Sequence, residues 1–328
     1  MSERVVMVTG GAGYIGSHVC KALHTAGYLP VVFDNLSTGH INAIKWGPFF
    51  RGDITDVGML RKAFEYYAPY AVIHCAARAY VAESMSNPSR YYKNNLTGSI
   101  SLFEVMLLTG VHKVVFSSSC AVYGIPSKLP VCEKQSVNPV SPYGWSKLVA
   151  EVILRDYARA YNLRSVSLRY FNAAGADLDG EIGESHDPET HLIPRVLTAC
   201  ENSDTQITIF GDNYSTRDGT CIRDYVHVSD LAEGHVIALK YLENSVNTSR
   251  VFNLGLGIGF SNLDIVRAAE RVTKRRCQIS FSSPRPGDPP ELIADTSLAR
   301  SELGWKPQIL DIDLMLDSAW KWMKSTSN

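Results

Sequence analysis

The sequence has little of what marks a disulfide-rich, metal-binding or nucleic-acid-binding protein. Its seven cysteines form no C-x-x-C pair and their number is odd, which argues against a zinc ribbon, a thioredoxin motif and a disulfide framework. The 32 Lys and Arg residues nearly balance 33 Asp and Glu residues, so no overall field attracts nucleic acid or an anionic membrane. We therefore expect no metal site and no nucleic-acid partner, and a local group of donors must hold any anionic ligand.

Long apolar runs are also absent. No stretch approaches the about 18 apolar residues that a bilayer-spanning helix needs, so no membrane partner is expected. The first residues, MSERVVMVTGG, reach glycine too soon for a signal peptide, and reduced thiols are typical of cytosolic proteins. The sequence thus predicts a cytoplasmic protein, and 328 residues, 45% of them hydrophobic, suffice for about two domains.

Short apolar runs alternate with segments of helical periodicity. The runs lie at 5–8, 31–34, 71–75, 114–118 and 165–169, and the periodic segments at 14–26, 88–109 and 143–161. This order predicts an α/β fold with a Rossmann-like, doubly wound parallel sheet. After Tyr170 the pattern gives way to loops rich in Gly, Asp and Pro. We therefore expect a Rossmann-like domain formed by 1–171 plus 220–259, and a smaller mixed α/β domain formed by 172–219 plus 260–328.

A glycine-rich loop separates the first predicted strand from the first predicted helix. Gly10, Gly13 and Gly16 fit a dinucleotide motif, in which glycines allow the backbone and a helix N-terminus to approach a pyrophosphate. Asp34 ends the second strand 18 residues after Gly16, where a carboxylate accepts hydrogen bonds from the adenosine ribose and repels a 2′-phosphate. The pattern predicts NAD as cofactor. Asp53, at the expected end of the third strand, is either at the adenine edge or a loop carboxylate.

A serine-ended strand and a Y-x-x-x-K pair form the candidate catalytic group. Ser119 follows the strand 114–118, at the carboxyl edge where open α/β sheets bind ligands. Tyr143 and Lys147 are four residues apart, hence on one helix face. A free tyrosine, with a pKa of about 10, is a poor base at neutral pH, but a neighbouring ammonium and the positive ring of NAD+ would favour phenolate. Tyr143 is therefore the candidate acid/base.

Six segments resemble the UDP-glucose 4-epimerase family, in the extended branch of the short-chain dehydrogenase/reductase superfamily. They are TGGAGYIGSH (9–18), DNLSTGH (34–40), FSSSCAVYG (116–124), SPYGWSK (141–147), RYFNAAGA (169–176) and TRDGTCIRDYVHVSDLA (216–232). The resemblance covers the chain almost end to end. It implies NAD-dependent 4-epimerisation of a UDP-sugar, UDP-glucose or UDP-galactose, through a transient 4-keto sugar. It also implies a homodimer in which the helices at 88–109 and 143–161 of two chains pack together.

The resemblance assigns binding roles by position. The positions that match the family's cofactor contacts are Gly10, Gly13, Tyr14, Ile15, Gly16, Asp34, Asn35, Asp53, Ile54, Ala76, Asn94, Ser117, Tyr143, Lys147 and Tyr170. Those that match its substrate contacts are Ser119, Tyr143, Asn172, His191, Leu192, Phe210, Arg223, Tyr225, Arg285, Asp288 and Leu292. Arg223 and Arg285 suit the diphosphate, because a guanidinium matches phosphate oxygens bidentately. His191 stands where the family often has an asparagine, so it either replaces an amide contact or is a loop histidine.

Other functions stay open beside this one. Leu292, at the sugar pocket of the family, predicts tolerance of a C2 N-acetyl group, so UDP-N-acetylglucosamine is an alternative substrate, as is the UDP-xylose/UDP-arabinose pair. A nucleotide-sugar 4,6-dehydratase is disfavoured, because Cys120-Ala121 stands where that chemistry uses an acid and a base. A non-catalytic NAD-sensing protein is disfavoured because both Tyr143 and Lys147 are present. His74 and His227 are expected to be packed, not catalytic.

Overall fold

A computed structural model describes residues 4–202, 204–244, 249–285 and 287–326. The strands are β1 Arg4–Thr9, β2 Tyr28–Asp34, β3 Phe49–Arg51, β4 Ala71–His74, β5 Lys113–Ser119, β6 Arg164–Tyr170, β7 Asn172–Ala174, β8 Gln206–Phe210, β9 Ile222–His227, β10 Ser249–Leu254, β11 Gly259–Ser261, β12 Gln278–Ser282 and β13 Glu291–Leu292. The α-helices are α1 Tyr14–Thr25, α2 Val57–Tyr67, α3 Val81–Ser86, α4 Pro88–Tyr91, α5 Gly98–Leu108, α6 Pro142–Tyr161, α7 Leu192–Glu201, α8 Val228–Asn244, α9 Asn262–Thr273 and α10 Ile312–Thr326. Within these described residues, no helix combines the length and the apolar content that crossing a bilayer requires.

Seven parallel strands form the central sheet, in the order β3-β2-β1-β4-β5-β6-β10. The chain starts in the middle at β1, winds outward through β2 and β3, and resumes on the other side at β4. The carboxyl ends of β1 and β4 therefore flank the switch point where such sheets bind ligands. There the Thr9 hydroxyl lies 2.7 Å from His74 Nδ1. The predicted Rossmann-like α/β fold is confirmed.

Apolar runs form the central strands because both faces of the sheet are covered. Val6 and Val8 pack on the side of α1 and α8, whereas Met7 packs on the side of α2, α5 and α6, and all three are fully buried. Successive strand residues point to opposite faces, so a continuous apolar run suits a strand that helices cover on both faces. The covering helices leave the carboxyl edge of the sheet for the site.

A second, mixed sheet lies apart from the first one. It contains β11, β9 and β13, with β7 paired to β9, and a separate parallel pair joins β8 to β12. Its apolar side packs with residues of α7, α9 and α10. The division into 1–171 plus 220–259 and 172–219 plus 260–328 stays a prediction, and β9, which it assigns to the first unit, pairs only with strands of the second sheet among those described.

Several predicted element ends are corrected by the structure. The third strand ends at Arg51, and Asp53 lies beyond it in a turn, where its carboxylate accepts hydrogen bonds from the Thr55 N–H and O–H at 2.8 and 2.7 Å. Ser119 belongs to β5 instead of following it. The helix predicted over 88–109 ends at Leu108 and contains a wider turn at Tyr92–Thr97. The first two differences arise because side-chain bonds and strand pairing, not apolar pattern, set these ends.

Candidate active site

The glycine loop packs too tightly for side chains at two of its positions. Gly10 has a φ of +73°, and a Cβ there would lie 2.6 Å from the Ala76 backbone nitrogen. A Cβ at Gly16 would lie 2.1 Å from the Gly10 carbonyl oxygen, so this glycine lets α1 start directly against the loop. Gly13 differs, since a Cβ there would meet only that same oxygen, at 3.3 Å, among described residues beyond its neighbours in sequence. Free space above Gly13, at a helix N-terminus, fits a dinucleotide pyrophosphate.

Replacing Gly13 with alanine is expected to leave the fold intact and to weaken NAD binding by about 10-fold or more, or ~1.4 kcal/mol. Gly13 has an extended backbone, with φ −86° and ψ 176°, that alanine adopts freely, and the new methyl group would occupy the space above the loop. Fluorescence titration with NAD and a thermal melt measure the two effects. Gly58→Ala is the matched control, because its Cβ would also meet one atom at 3.3 Å, the Asp56 Oδ1. Equal NAD affinity in both variants would contradict the assignment.

Asp34 is tied to the glycine loop by backbone hydrogen bonds. Its Oδ2 accepts from the Ala12 N–H at 3.1 Å and its Oδ1 from the Leu36 N–H at 2.8 Å. Burial raises the pKa of this carboxyl above its usual value, and the backbone N–H donors oppose that shift. The next residue, Asn35, donates to Asp53 Oδ2 at 2.7 Å. Three of the predicted cofactor residues, Asp34, Asn35 and Asp53, are thus joined at the end of β2.

Ser119, Tyr143 and Lys147 meet at the carboxyl end of β5. Ser141 caps α6 by accepting a hydrogen bond from the Gly144 N–H at 3.2 Å, so the helix begins immediately before Tyr143. One turn later, Lys147 Nζ donates to the Ser117 carbonyl oxygen at 2.7 Å and lies 5.9 Å from the centre of the Tyr143 ring. The Ser119 side chain is close enough to Tyr143 to lower the pKa of its hydroxyl. All three candidate catalytic side chains are less than one tenth exposed.

Burial dominates the ionisation of this group in the chain alone. It raises the pKa of Tyr143 to about 12, although the neighbouring Ser119 side chain opposes the shift. Burial also lowers the pKa of Lys147 to about 8, against the attraction of Cys75 and Glu151. At neutral pH the tyrosine is therefore a neutral phenol and the lysine an ammonium. The phenolate predicted for the cofactor-bound state needs more positive charge than this chain supplies by itself.

Ser117 contacts three neighbouring side chains of the site. Its hydroxyl lies 2.8 Å from His235 Nε2 and 3.2 Å from Cys75 Sγ, while its carbonyl holds Lys147. His235 is fully buried on α8, and burial lowers its pKa to about 4, so the ring is neutral. Sequence reasoning missed His235, because 118 residues separate it from Ser117 and no local pattern joins them. The cofactor role assigned to Ser117 stays a prediction.

Asn95, on the wider turn, hydrogen-bonds the helix α6 that carries Tyr143 and Lys147. Asn94 donates to Asn95 Oδ1 at 3.0 Å. Asn95, which sequence reasoning did not single out, is buried and donates to Ser146 Oγ at 3.1 Å and to the Arg78 carbonyl at 2.9 Å. Ser146 directly precedes Lys147, so Asn95 helps to fix the turn that carries the lysine. The adjacent asparagines at the end of YYKNN (91–95) were the only sequence feature that could have pointed to Asn95.

Several predicted substrate residues gather where β9 meets the loop before β13. Asn172 donates to the Asp224 carbonyl at 2.9 Å. Arg223 donates to the Pro289 carbonyl at 2.8 Å and lies 3.7 Å from the Asp288 carboxylate, so it is only weakly neutralised. Arg285, which is exposed, lies over the Phe210 ring at 4.0 Å from its centre. Both arginines therefore keep guanidinium N–H groups for an anion.

Most of the remaining predicted residues are packed in the hydrophobic interior. Tyr225 and Leu292 are buried, and Leu292 packs with Cys120 and Phe171. The packed residues also include Ile15, Ile54, Tyr170 and Leu192. His74 and His227 are fully buried, as expected, and His191 Nδ1 lies 2.8 Å from Glu184 and 3.0 Å from Glu189.

Asp224 is a buried carboxylate that sequence reasoning passed over. It is fully buried on β9 and accepts three backbone hydrogen bonds, from Leu256 at 2.7 Å, Gly257 at 2.9 Å and Ala294 at 3.1 Å. These bonds fasten β9 to the ends of β10 and β13. Asp224 therefore positions its neighbours Arg223 and Tyr225, and only the folded chain brings its three donors together.

Comparison with known proteins adds to this geometry. Residues 6–255 match the NAD dependent epimerase/dehydratase family. The chain is 48% identical over 323 residues, 98% of this chain and 97% of the relative, to a UDP-glucose 4-epimerase of Streptococcus mutans serotype c. It is 51% identical to the crystal structure of UDP-glucose 4-epimerase from Brucella ovis in complex with NAD, with a TM-score of 0.92 over 96% of this chain and 97% of that chain. It is 36% identical to the enzyme from Bifidobacterium longum in complex with NAD+ and UDP, with a TM-score of 0.94 over 99% of both chains.

Proposed function

Since the chain belongs to the NAD dependent epimerase/dehydratase family, we infer that it is an isomerase, an NAD-dependent UDP-sugar 4-epimerase. The inversion at C4 passes through a transient 4-keto sugar. The observation that carries this inference is the grouping of Tyr143 with Ser119 and Lys147 at the sheet edge beside the glycine loop. Bound NAD supplies the reversible uptake of hydride at C4, so the overall reaction needs no other redox partner.

We propose that Tyr143 removes the proton of the sugar 4-hydroxyl and returns it after the sugar has turned over. Ser119, which lies close to Tyr143, would bond the same sugar oxygen and hold it against the phenol. Lys147, fixed by the Ser117 carbonyl, would bind the nicotinamide ribose and add positive charge beside Tyr143. The glycine loop with Asp34, Asn35 and Asp53 would hold the rest of NAD.

We assign UDP recognition to the surface between β9 and the loop before β13. Arg223 uses one guanidinium nitrogen for the Ile222 and Pro289 carbonyls, and in the described part of the chain both Arg223 and Arg285 have further guanidinium N–H groups without a hydrogen-bond partner, which suit the two phosphates. Asn172 and Asp288 border the same surface, and the Phe210 ring is available for stacking where Arg285 moves off it. A solved structure at 36% identity and nearly full coverage contains NAD+ and UDP, which supports UDP as the ligand of this surface.

For the sugar itself, we propose UDP-glucose and UDP-galactose as the preferred pair, with UDP-N-acetylglucosamine accepted. Leu292, smaller than an aromatic residue, stands buried beside Cys120, next to Ser119. The protein as purified should release NAD on denaturation and interconvert UDP-glucose and UDP-galactose, with slower turnover of UDP-N-acetylglucosamine. Parallel assays of these sugars and of UDP-arabinose rank them. Absence of turnover with UDP-N-acetylglucosamine would contradict the role proposed for Leu292. Bound NAD without turnover of any of these sugars would favour the NAD-sensing alternative.

A 4,6-dehydratase is disfavoured by the residue that follows Ser119. Cys120 is buried, and burial raises the pKa of its thiol to about 12, so it is not a base at neutral pH. Dehydration needs an acid and a base near C6, and Ala121 offers neither. Formation of a 4-keto-6-deoxy sugar in the assay above would reverse this conclusion.

We further propose a cytoplasmic homodimer. Large side chains are exposed on the helices expected to pair: Tyr92, Leu108, Trp145 and Tyr161. Burying such a surface against a second copy would remove apolar area from water. Gel filtration should give about twice the 36.2 kDa of one chain. A monomer at micromolar concentration would refute the dimer.

A further inference from the structure

Two histidines and two glutamates converge in the segment 184–191, and the proposed reaction uses at most one of them. The residues are Glu184, His186, Glu189 and His191, and one ligand atom from each lies within 4.8 Å of all the others. We propose that these four side chains form a binding site for a divalent transition metal, with Zn²⁺ as the ion that their chemistry fits best. The proposal is independent of the sugar specificity above.

The distances between the ligand atoms are close to those between the ligands of a tetrahedral zinc ion. His191 Nδ1 lies 2.8 Å from a Glu184 oxygen and 3.0 Å from a Glu189 oxygen. His186 Nδ1 lies 3.1 and 3.6 Å from oxygens of the same two carboxylates. Zinc binds nitrogen and oxygen at about 2.0–2.2 Å, which places neighbouring tetrahedral ligands about 3.3–3.6 Å apart. An ion at the centre therefore requires the closest of these nitrogen–oxygen pairs, His191 with Glu184, to move apart by about 0.5–0.8 Å.

The ligand types select the class of ion. Two imidazole nitrogens suit zinc and its first-row neighbours, whereas Mg²⁺ and Ca²⁺ prefer oxygen ligands alone and more of them. Two carboxylates would balance the charge of a divalent ion. The sequence predicted no metal site because its reasoning rested on cysteine patterns, whereas here H-x-x-E-x-H and a preceding glutamate supply every ligand.

The surroundings enclose one side of the cluster and leave the other open. The Tyr80 ring lies 5.8 Å from the His186 ring and 6.0 Å from the His191 ring. Its buried hydroxyl has no hydrogen-bond partner within the described part of the chain, and a metal-bound water would offer one. The Glu184 side chain is 11% exposed but that of His191 is 44% exposed, so an ion can enter from the His191 side.

Ion pairing is the other explanation of the same contacts. Each imidazole could carry a proton and donate it to a carboxylate, which would hold the cluster together without metal. The two explanations differ in stoichiometric metal binding and in what happens when one ligand is removed, because an ion-pair network gives no Zn²⁺ affinity above that of ordinary surface histidines.

The test uses the full-length, NAD-containing protein, freed of metal with a chelator and then titrated with Zn²⁺ against a chromophoric competitor. The wild type should bind one Zn²⁺ per chain, and Co²⁺ in its place should give the intense visible bands of tetrahedral nitrogen and oxygen ligation. His186→Ala and the near-isosteric Glu189→Gln should each weaken Zn²⁺ binding by at least about 100-fold, the upper end of what losing an outer partner costs.

His24→Ala is the matched control, because His24 is an exposed histidine on α1 outside the cluster. It should leave the Zn²⁺ affinity unchanged, and metal-free His186→Ala and Glu189→Gln should retain their NAD and wild-type melting profiles if they fold. Absence of one-to-one binding in the wild type, equal affinity in the cluster variants and the control, or thiolate bands in the cobalt spectrum would each overturn the proposal.

Discussion

Replacing Tyr143 with phenylalanine is expected to lower UDP-sugar 4-epimerisation by about 10²- to 10⁴-fold while NAD stays bound, the range that a positioned acid/base contributes. The substitution removes one oxygen from a side chain that is 8% exposed, so packing around it should change little. Without that oxygen, the site loses the group proposed to take the proton of the 4-hydroxyl. Coupled assay of UDP-galactose conversion gives the rate, and the absorbance of NAD released on denaturation gives the occupancy.

Tyr123→Phe is the matched control for this prediction. Tyr123 is also buried, and its hydroxyl donates to Asn253 Oδ1 at 2.6 Å, away from the catalytic group. Its loss should cost about 1 kcal/mol of stability and leave turnover within about twofold. Similar losses of turnover in both variants, or a Tyr143→Phe enzyme with near-normal turnover, would remove Tyr143 from the mechanism.

The ionisation of the site gives a physical reason why the proposed mechanism needs the positive charge of NAD+. In the chain alone the pKa of Tyr143 is about 12, so phenolate is rare at neutral pH. Lys147, with a pKa of about 8, still carries its proton there, but it is committed to the Ser117 carbonyl and lies 5.9 Å from the tyrosine ring. The sequence correctly paired the two residues by helical spacing, yet spacing does not report burial, which here acts against the phenolate.

Local patterns predicted the parts of the molecule that local physics determines. The glycine loop and the Y-x-x-x-K pair depend on residues within one turn, and both lie where they were predicted. The apolar runs at 5–8, 31–34, 71–75, 114–118 and 165–169 each overlap a strand of the central sheet, but their ends differ and β10 was not predicted. Contacts between distant segments were not accessible in this way. His235 reaches Ser117 across 118 residues, and Asp224 collects backbone donors from two other strand ends. The substrate roles of residues in the smaller domain, such as Arg285 and Phe210, were predicted only from the family resemblance, because no periodicity connects two loops.

One missed feature does carry a local signal, a third residue at the same spacing on α6. Tyr143 and Lys147 are followed after four more residues by Glu151, on the same helix face. Glu151 forms a bidentate pair with Arg169 of β6, with oxygen–nitrogen distances of 2.9 and 2.5 Å, and accepts a hydrogen bond from the Ser118 hydroxyl. Both charged side chains are less than one tenth exposed. The catalytic helix is thus fastened to β5 and β6 directly below the lysine.

Replacing Glu151 with alanine is expected to lower the free energy of unfolding by about 3–5 kcal/mol, because Arg169 would remain charged and buried without a counter-charge. Urea unfolding at fixed protein and NAD concentrations measures this change. Removing both charges with Glu151→Met and Arg169→Met should cost less than the single substitution, since a buried pair repays little more than its own desolvation. Asp317→Ala, which breaks an exposed pair with Lys321 at 2.7 Å, is the control and should cost within about 0.5 kcal/mol. If Glu151→Ala cost no more than this control, or if the double variant were the less stable of the two, the pair would be a solvated contact, and it could not be what holds Lys147 in register with Ser117.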